Sequence, residues 1–93
     1  MWNVYILECS DKSYYTGHTN NLYERVIRHN NGRGSTHTAA RLPVKLVWNE
    51  EHENESSATQ RENQIKRWSR AKKLAFIEGD IQKLKLLSKR KNT

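Results

Sequence analysis

The first nineteen residues leave this chain little freedom. From Asn3 to Glu8 the side chains alternate, with Trp2, Val4 and Ile6 to one side and Asn3, Tyr5 and Leu7 to the other. That is a strand period carried by strand-favouring residue types. Ser10-Asp11-Lys12-Ser13 reads as a turn and Tyr14 to Thr19 as the returning strand of a hairpin. Pairing Glu8 with Tyr14 sets Tyr5 opposite Gly17 and Leu7 opposite Tyr15. Tyr5 and Tyr15 then share a face as diagonal neighbours, with open space above the backbone of Gly17. A slip of one residue on either strand separates the two phenols.

Beyond the hairpin, Asn21 followed by Glu24 is a helix cap with its capping-box partner, opening a helix to about Asn30. Leu22 and Val26 supply an apolar i, i+4 pair that Ile27 widens. Arg25 and His29, also four apart, sit one above the other on a helical face. Asn30-Asn31-Gly32-Arg33-Gly34-Ser35 cannot readily continue the helix and reads as a mobile loop. Pro43 marks the start of a third strand, Val44 to Trp48, in which Val44, Leu46 and Trp48 are the alternating apolar residues. Ser57 with Gln60 predicts another capping box and a helix to about Trp68, burying Ala58, Ile65 and Trp68. Ser69 caps a further helix that Gly79 ends, and Asp80 opens a last one containing Ile81, Leu84 and Leu87. The expected organisation is one domain over residues 1–87 and a frayed basic tail over 88–93. Two strands precede the first helix, so the order is not the alternating unit that builds a parallel sheet.

The chain has 93 residues, of which 34% are apolar, enough for one core and too few for two ordinary domains. No apolar run approaches the length of a membrane span, and Met1-Trp2-Asn3 lacks the charged start and apolar stretch of a secretory signal. Cys9 is the only cysteine, which excludes an internal disulfide and a CxxC metal pair. A reducing compartment, the cytoplasm, fits. The formal charge of +7 is unevenly placed: residues 61–93 hold eleven Lys/Arg against three Asp/Glu, and the rest of the chain is near balance. A basic face this dense attracts polyanions, although charge alone reads equally as a solubilising helical surface. The acidic run Glu50, Glu51, Glu53 and Glu55 reads as a solvated turn.

The four histidines, His18, His29, His37 and His52, form no HxH, HxxxH or HExxH, which argues against a structural zinc site. A single helix-borne carboxylate is enough for magnesium, which keeps several water ligands. Glu62 is the best-placed candidate, with an ordinary i, i+4 ion pair to Lys66 as the competing reading. Taken singly, Tyr5, Tyr15, Arg25 and His29 are unremarkable sheet and helix residues. Together with Glu62 they offer two phenols, a guanidinium, an imidazole and a carboxylate, a set suited to phosphodiester hydrolysis.

Val4-Tyr5-Ile6, then Tyr15-Thr16-Gly17, then Thr19-Asn20-Asn21-Leu22 with Arg25 and His29-Asn30 resembles the GIY-YIG nuclease domain, its two triplets standing here as VYI and YTG. Arg61-Glu62-Asn63-Gln64-Ile65-Lys66 followed by Leu74-Ala75-Phe76-Ile77 is similar to that family's helix bearing the metal-binding glutamate. The likeness spans residues 2–78 and is greatest to the small stand-alone bacterial members, which are similar to the nuclease subunit of structure-specific endonucleases. It implies an α+β fold, a three-stranded antiparallel sheet flanked by helices in the order β-β-α-β-α-α.

The resemblance also implies hydrolysis of a nucleic-acid backbone, in this reading DNA, with one divalent ion, Mg²⁺ or Mn²⁺. Tyr5 matches the proposed general base, Tyr15 the tyrosine that positions water or phosphate, Arg25 the helical arginine and Glu62 the metal carboxylate. His29 matches a frequent helper, and His18 a position near the base where relatives carry Lys or His. Lys66, Arg67, Arg70, Lys72 and Lys73, with His37, are the candidate nucleic-acid contacts. The first triplet lacks its glycine, and Thr36-His37-Thr38 replaces a Lys-Tyr-Thr-like segment. The competing function is a nucleic-acid-binding module of the same fold, inactive or active only with a partner protein that supplies specificity. A phenol with a pKa of roughly 10 costs on the order of 4 kcal/mol to ionise at pH 7, so Tyr5 needs nearby positive charge or a group to take its own proton.

Overall fold

The computed structural model describes residues 1–80 together with Gln82 and Leu86. Strand β1 (Trp2–Glu8) is the central strand of a three-stranded antiparallel sheet, between β2 (Tyr14–Thr19) and β3 (Lys45–His52). Helices α1 (Leu22–Asn30) and α2 (Thr36–Ala39) lie between β2 and β3, and α3 (Glu55–Lys66) and α4 (Arg70–Glu78) follow. This is the expected α+β architecture with one added turn of helix, α2. The helix expected through Ile81, Leu84 and Leu87, the domain limit at residue 87 and the tail 88–93 lie outside the described residues.

The hairpin has the expected register: Tyr5 pairs with Gly17, Leu7 with Tyr15 and Glu8 with Tyr14. Strand alternation then divides the core into two layers. Val4 and Ile6 pack with Ala58 and Ile65 of α3, bordered by Trp2, Val47, Trp48, Trp68 and Ile77. Tyr5 and Leu7 face the other way with Cys9 and Val44, bordered by Tyr15, Leu22 and Val26. The sheet is therefore a middle layer, with α1 on one face and α3 on the other.

The local expectations for β3 and α3 are corrected. β3 begins at Lys45 and runs on to His52, because an edge strand with a solvated side accommodates Glu50 and Glu51 in its ladder. Glu50 is also neutralised there, 2.8 Å from His52 Nε2 and 3.1 Å from Arg61 Nε, so these acids do not form a turn. A bulge between the Ile6–Trp48 and Leu7–Leu46 pairs inserts Val47. The bulge breaks the alternation, bringing Val47 and Trp48 to the same core layer and leaving Leu46 exposed. The helix expected from Ser57 starts at Glu55, because Asn54 caps it by accepting from the Ser57 amide at 2.8 Å. It ends at Lys66, short of Trp68. The Asn21 cap, the Ser69 cap and the end at Gly79 stand as read from the sequence.

Candidate active site

The site is built from the hairpin outward. Register places Tyr5 and Tyr15 on the α1 face with ring centroids 6.4 Å apart. Gly17 leaves the space that the Tyr5 ring fills: a Cβ there would stand 2.6 Å from the phenolic oxygen. The Asn21 cap fixes where α1 begins and so directs His29, one turn after Arg25, onto the tyrosines. His29 is fully buried, its Nε2 2.9 Å from the Tyr5 hydroxyl and its ring 5.0 Å from that of Tyr15. On its other side Nδ1 lies 2.8 Å from Oγ1 of Thr38, also fully buried.

Electrostatics in this layer follow from burial. Tyr5 is fully enclosed, and that enclosure, with the neighbouring Tyr15, pushes its pKa up to about 12. Arg25 opposes the shift through a hydrogen-bonding contact and its charge, and Glu62 adds to it. Both Arg25 and Glu62 therefore act on the Tyr5 hydroxyl. Burial, together with the positive charges of Arg25 and Arg28, holds His29 below the ordinary histidine value, so at neutral pH its imidazole is uncharged and free to accept a proton.

His18 and Glu62 belong to the other face. His18 pairs across the hairpin with Val4 and its ring lies 5.6 Å from that of Trp2. Its Nδ1 bonds Oε1 of Glu62, and its Nε2 lies 3.2 Å from Oε2 of Glu55. Glu62 is nearly buried, and its second oxygen accepts an ion pair from Lys66 Nζ at 2.6 Å. Burial works against a charged His18, but the two glutamates outweigh it and raise its pKa.

Among the described residues no cluster of three or more His, Cys, Asp or Glu could hold a metal ion. A single carboxylate such as Glu62 is compatible with Mg²⁺, which takes one or two protein carboxylates and otherwise water and substrate oxygens. It does not suit a four-ligand structural zinc.

The basic residues take varied positions. Arg67 caps the end of α3 and is exposed. Arg70 donates to the Lys12 carbonyl at 2.7 Å and lies 5.3 Å over the Tyr14 ring. Lys72 lies 4.6 Å over Trp68, and Lys73 is partly buried, which with the nearby Lys66 lowers its pKa. His37 is stacked on Tyr15 at 6.3 Å and bonded to the Ser13 hydroxyl at 3.1 Å.

Sequence reasoning passed over Thr38 and Ser35, which contact or support His29. The available signal was the Ser35 hydroxyl three residues before Thr38, a capping spacing: Ser35 Oγ accepts from the Thr38 amide at 3.1 Å.

Comparison with known proteins finds relatives of one family. The family model of the GIY-YIG catalytic domain matches residues 1–75. The chain is 51% identical over 76 residues to a UPF0213 protein of Clostridium perfringens, covering 82% of each. It is 49% identical over 77 residues to one of Natronomonas pharaonis, covering 83% of this chain and 91% of that protein. The solution NMR structure of a UPF0213 protein from Bacillus halodurans matches with a TM-score of 0.54 at 37% identity, over 84% of both chains. The family read from the VYI and YTG triplets is the family matched: the chain belongs to the GIY-YIG nuclease family and, within it, to the small UPF0213 proteins.

Proposed function

We propose that this protein is a divalent-metal-dependent endonuclease that hydrolyses phosphodiester bonds, with DNA as its substrate and the cytoplasm as its compartment. The observation that carries the reading is the buried contact of 2.9 Å between the Tyr5 hydroxyl and His29 Nε2. With a pKa of about 12, ionising Tyr5 in advance at pH 7 would cost on the order of 7 kcal/mol. A relay avoids that cost. The Tyr5 oxygen takes a proton from the attacking water as its own phenolic proton passes to His29 Nε2. Neutral His29 is the acceptor this step requires.

Arg25 stabilises the charge that builds on phosphorus. Tyr15, packed against His29, positions the scissile group. Glu62 is the residue that would hold the Mg²⁺ or Mn²⁺ ion, exchanging its Lys66 contact for the cation. The ion, when bound, supplies charge stabilisation at the leaving oxygen. His18 orients Glu62 through Nδ1. Lys66, Arg67, Arg70, Lys72 and Lys73 contact backbone phosphates, and His37 borders the substrate loop.

The test is incubation of the purified protein with supercoiled, branched and single-stranded DNA in Mg²⁺ or Mn²⁺, beside Glu62→Ala. Cutting by the wild type and not by Glu62→Ala supports the reading. A second reading rests on the Lys66–Glu62 ion pair, which competes with a metal: the protein binds nucleic acid and cuts only when a partner protein is present. Salt-sensitive binding without cutting on every substrate favours that one.

A further inference from the structure

His29 is gripped from the side away from Tyr5 by the segment between α1 and β3. Thr38 Oγ1 lies 2.8 Å from Nδ1, 3.0 Å from the Ser35 hydroxyl and 3.3 Å from the Ser35 carbonyl. A methyl group at Gly34 would overlap the imidazole, so the loop closes directly on the ring. Two tautomers of neutral His29 are chemically available, and the protons decide between them. The Tyr5 hydroxyl is hydrogen-bonded to Nε2 of His29, and the Arg25 guanidinium that influences it electrostatically can only donate. Among the described residues, then, the Tyr5 proton has Nε2 as its acceptor.

Thr38 is not so constrained, because its hydroxyl proton can go to Ser35, whose carbonyl only accepts. Protonation at Nδ1 therefore places every proton: Tyr5 to Nε2, Nδ1 to Thr38, and Thr38 to Ser35. Protonation at Nε2 leaves a buried phenolic proton without a protein acceptor, and a buried unmade hydrogen bond costs about 1–3 kcal/mol.

We propose that Thr38, anchored by Ser35, is a positioning residue that holds His29 in the Nδ1-protonated tautomer and so keeps Nε2 open to the Tyr5 proton. It acts through His29 and touches no substrate. The inference deepens the relay reading above and rests on it for its catalytic consequence; the tautomer itself does not.

The experiment is a long-range ¹H–¹⁵N correlation spectrum of the full-length protein, without metal or DNA, at a pH above the titration of His29. In the wild type His29 shows Nδ1 protonated and Nε2 unprotonated, as a single tautomer. Thr38→Ser, which keeps the hydroxyl, retains that pattern. Thr38→Val loses it, giving a mixture or the reverse tautomer. In nicking assays Thr38→Val lowers kcat about tenfold with KM for DNA unchanged, as a weakened proton relay requires, and Thr38→Ser restores it. Wild-type His29 protonated at Nε2 overturns the proposal, and that spectrum decides even where Thr38→Val does not fold. An unchanged His29 tautomer in folded Thr38→Val overturns it as well. A shifted tautomer with wild-type kcat removes the positioning role. A Thr38-dependent tautomer in a protein that cuts no nucleic acid counts against the nuclease reading and leaves the tautomer assignment standing.

Discussion

Gly17 and Tyr5 face one another across the hairpin, and the methyl group that glycine lacks is the space the phenolic oxygen needs. A Cβ at position 17 would stand 2.6 Å from that oxygen and 2.7 Å from Cζ. Gly17→Ala must therefore push a fully buried ring away from its seat against His29. Overpacking of this kind costs about 1–3 kcal/mol. Urea unfolding should show a lower midpoint with an unchanged slope, and any nicking should fall with it. A variant as stable and as active as the wild type would contradict the register.

Asn30 closes α1 onto the chain leading into β3. Its side-chain amide donates to the Val44 carbonyl at 3.0 Å and its side-chain oxygen accepts from the Val44 amide at 2.8 Å. Val44 is buried, so both backbone groups lose their partner in Asn30→Ala. A loss of about 1–3 kcal/mol is expected in thermal or urea unfolding, whereas Asn31→Ala, one residue on and exposed, should change stability by less than about 0.5 kcal/mol.

The two histidines of the site titrate in opposite senses. Burial and the charges of Arg25 and Arg28 lower the pKa of His29, so its contribution is full above the unfolded value of about 6.5 and is lost as pH falls below it. For His18, burial is outweighed by Glu62 and Glu55 and the pKa is raised. Its contribution is full below about 6.5 and is lost as pH rises through the folded value. Without divalent ions, His18→Gln should therefore lose stability more steeply than the wild type as the pH falls from about 7 to about 5.5. The stability gap between the two proteins should shrink toward about pH 8. A gap that widens with rising pH would reverse the assigned sign.

If Arg67 and Lys73 contact phosphates, each lost contact should flatten the plot of log affinity against log salt by about 0.9 on duplex DNA. Fluorescence-anisotropy titrations of Arg67→Ala and Lys73→Ala at several salt concentrations give the slopes. Parallel lines would remove these residues from the interface.

The hairpin, its register and most caps were legible because they depend on local rules: alternation over Asn3–Glu8, a short turn, and Asn21 or Ser69 followed by helix-forming residues. The bulge at Val47 was not legible, because it is fixed by pairing with β1 on the far side of the sequence. The start of α3 shifted because Asn54 and Ser57 both have capping side chains and only tertiary position separates them. The residue types of Tyr5, Tyr15, Arg25, His29 and Glu62 were readable as a set. Their division between two faces of the sheet was not, nor was the burial of His29, which on an isolated helix reads as solvated. Thr38 was passed over because nothing in Thr36-His37-Thr38 marks a hydroxyl as aimed at an imidazole nine residues away in sequence.

The relay stands or falls on one hydroxyl. Metal-dependent nicking of supercoiled DNA by Tyr5→Phe, measured beside the wild type with binding followed in the same buffer, examines it directly. Removing the phenolic oxygen leaves the ring and its packing but strands the buried Nε2 of His29, so stability should fall by about 1–3 kcal/mol while the protein stays folded and its DNA affinity stays close to wild type. Nicking should fall by about 100-fold or more, the range of a lost proton-transfer group. Tyr5→Phe that binds and cuts at the wild-type rate would contradict the account.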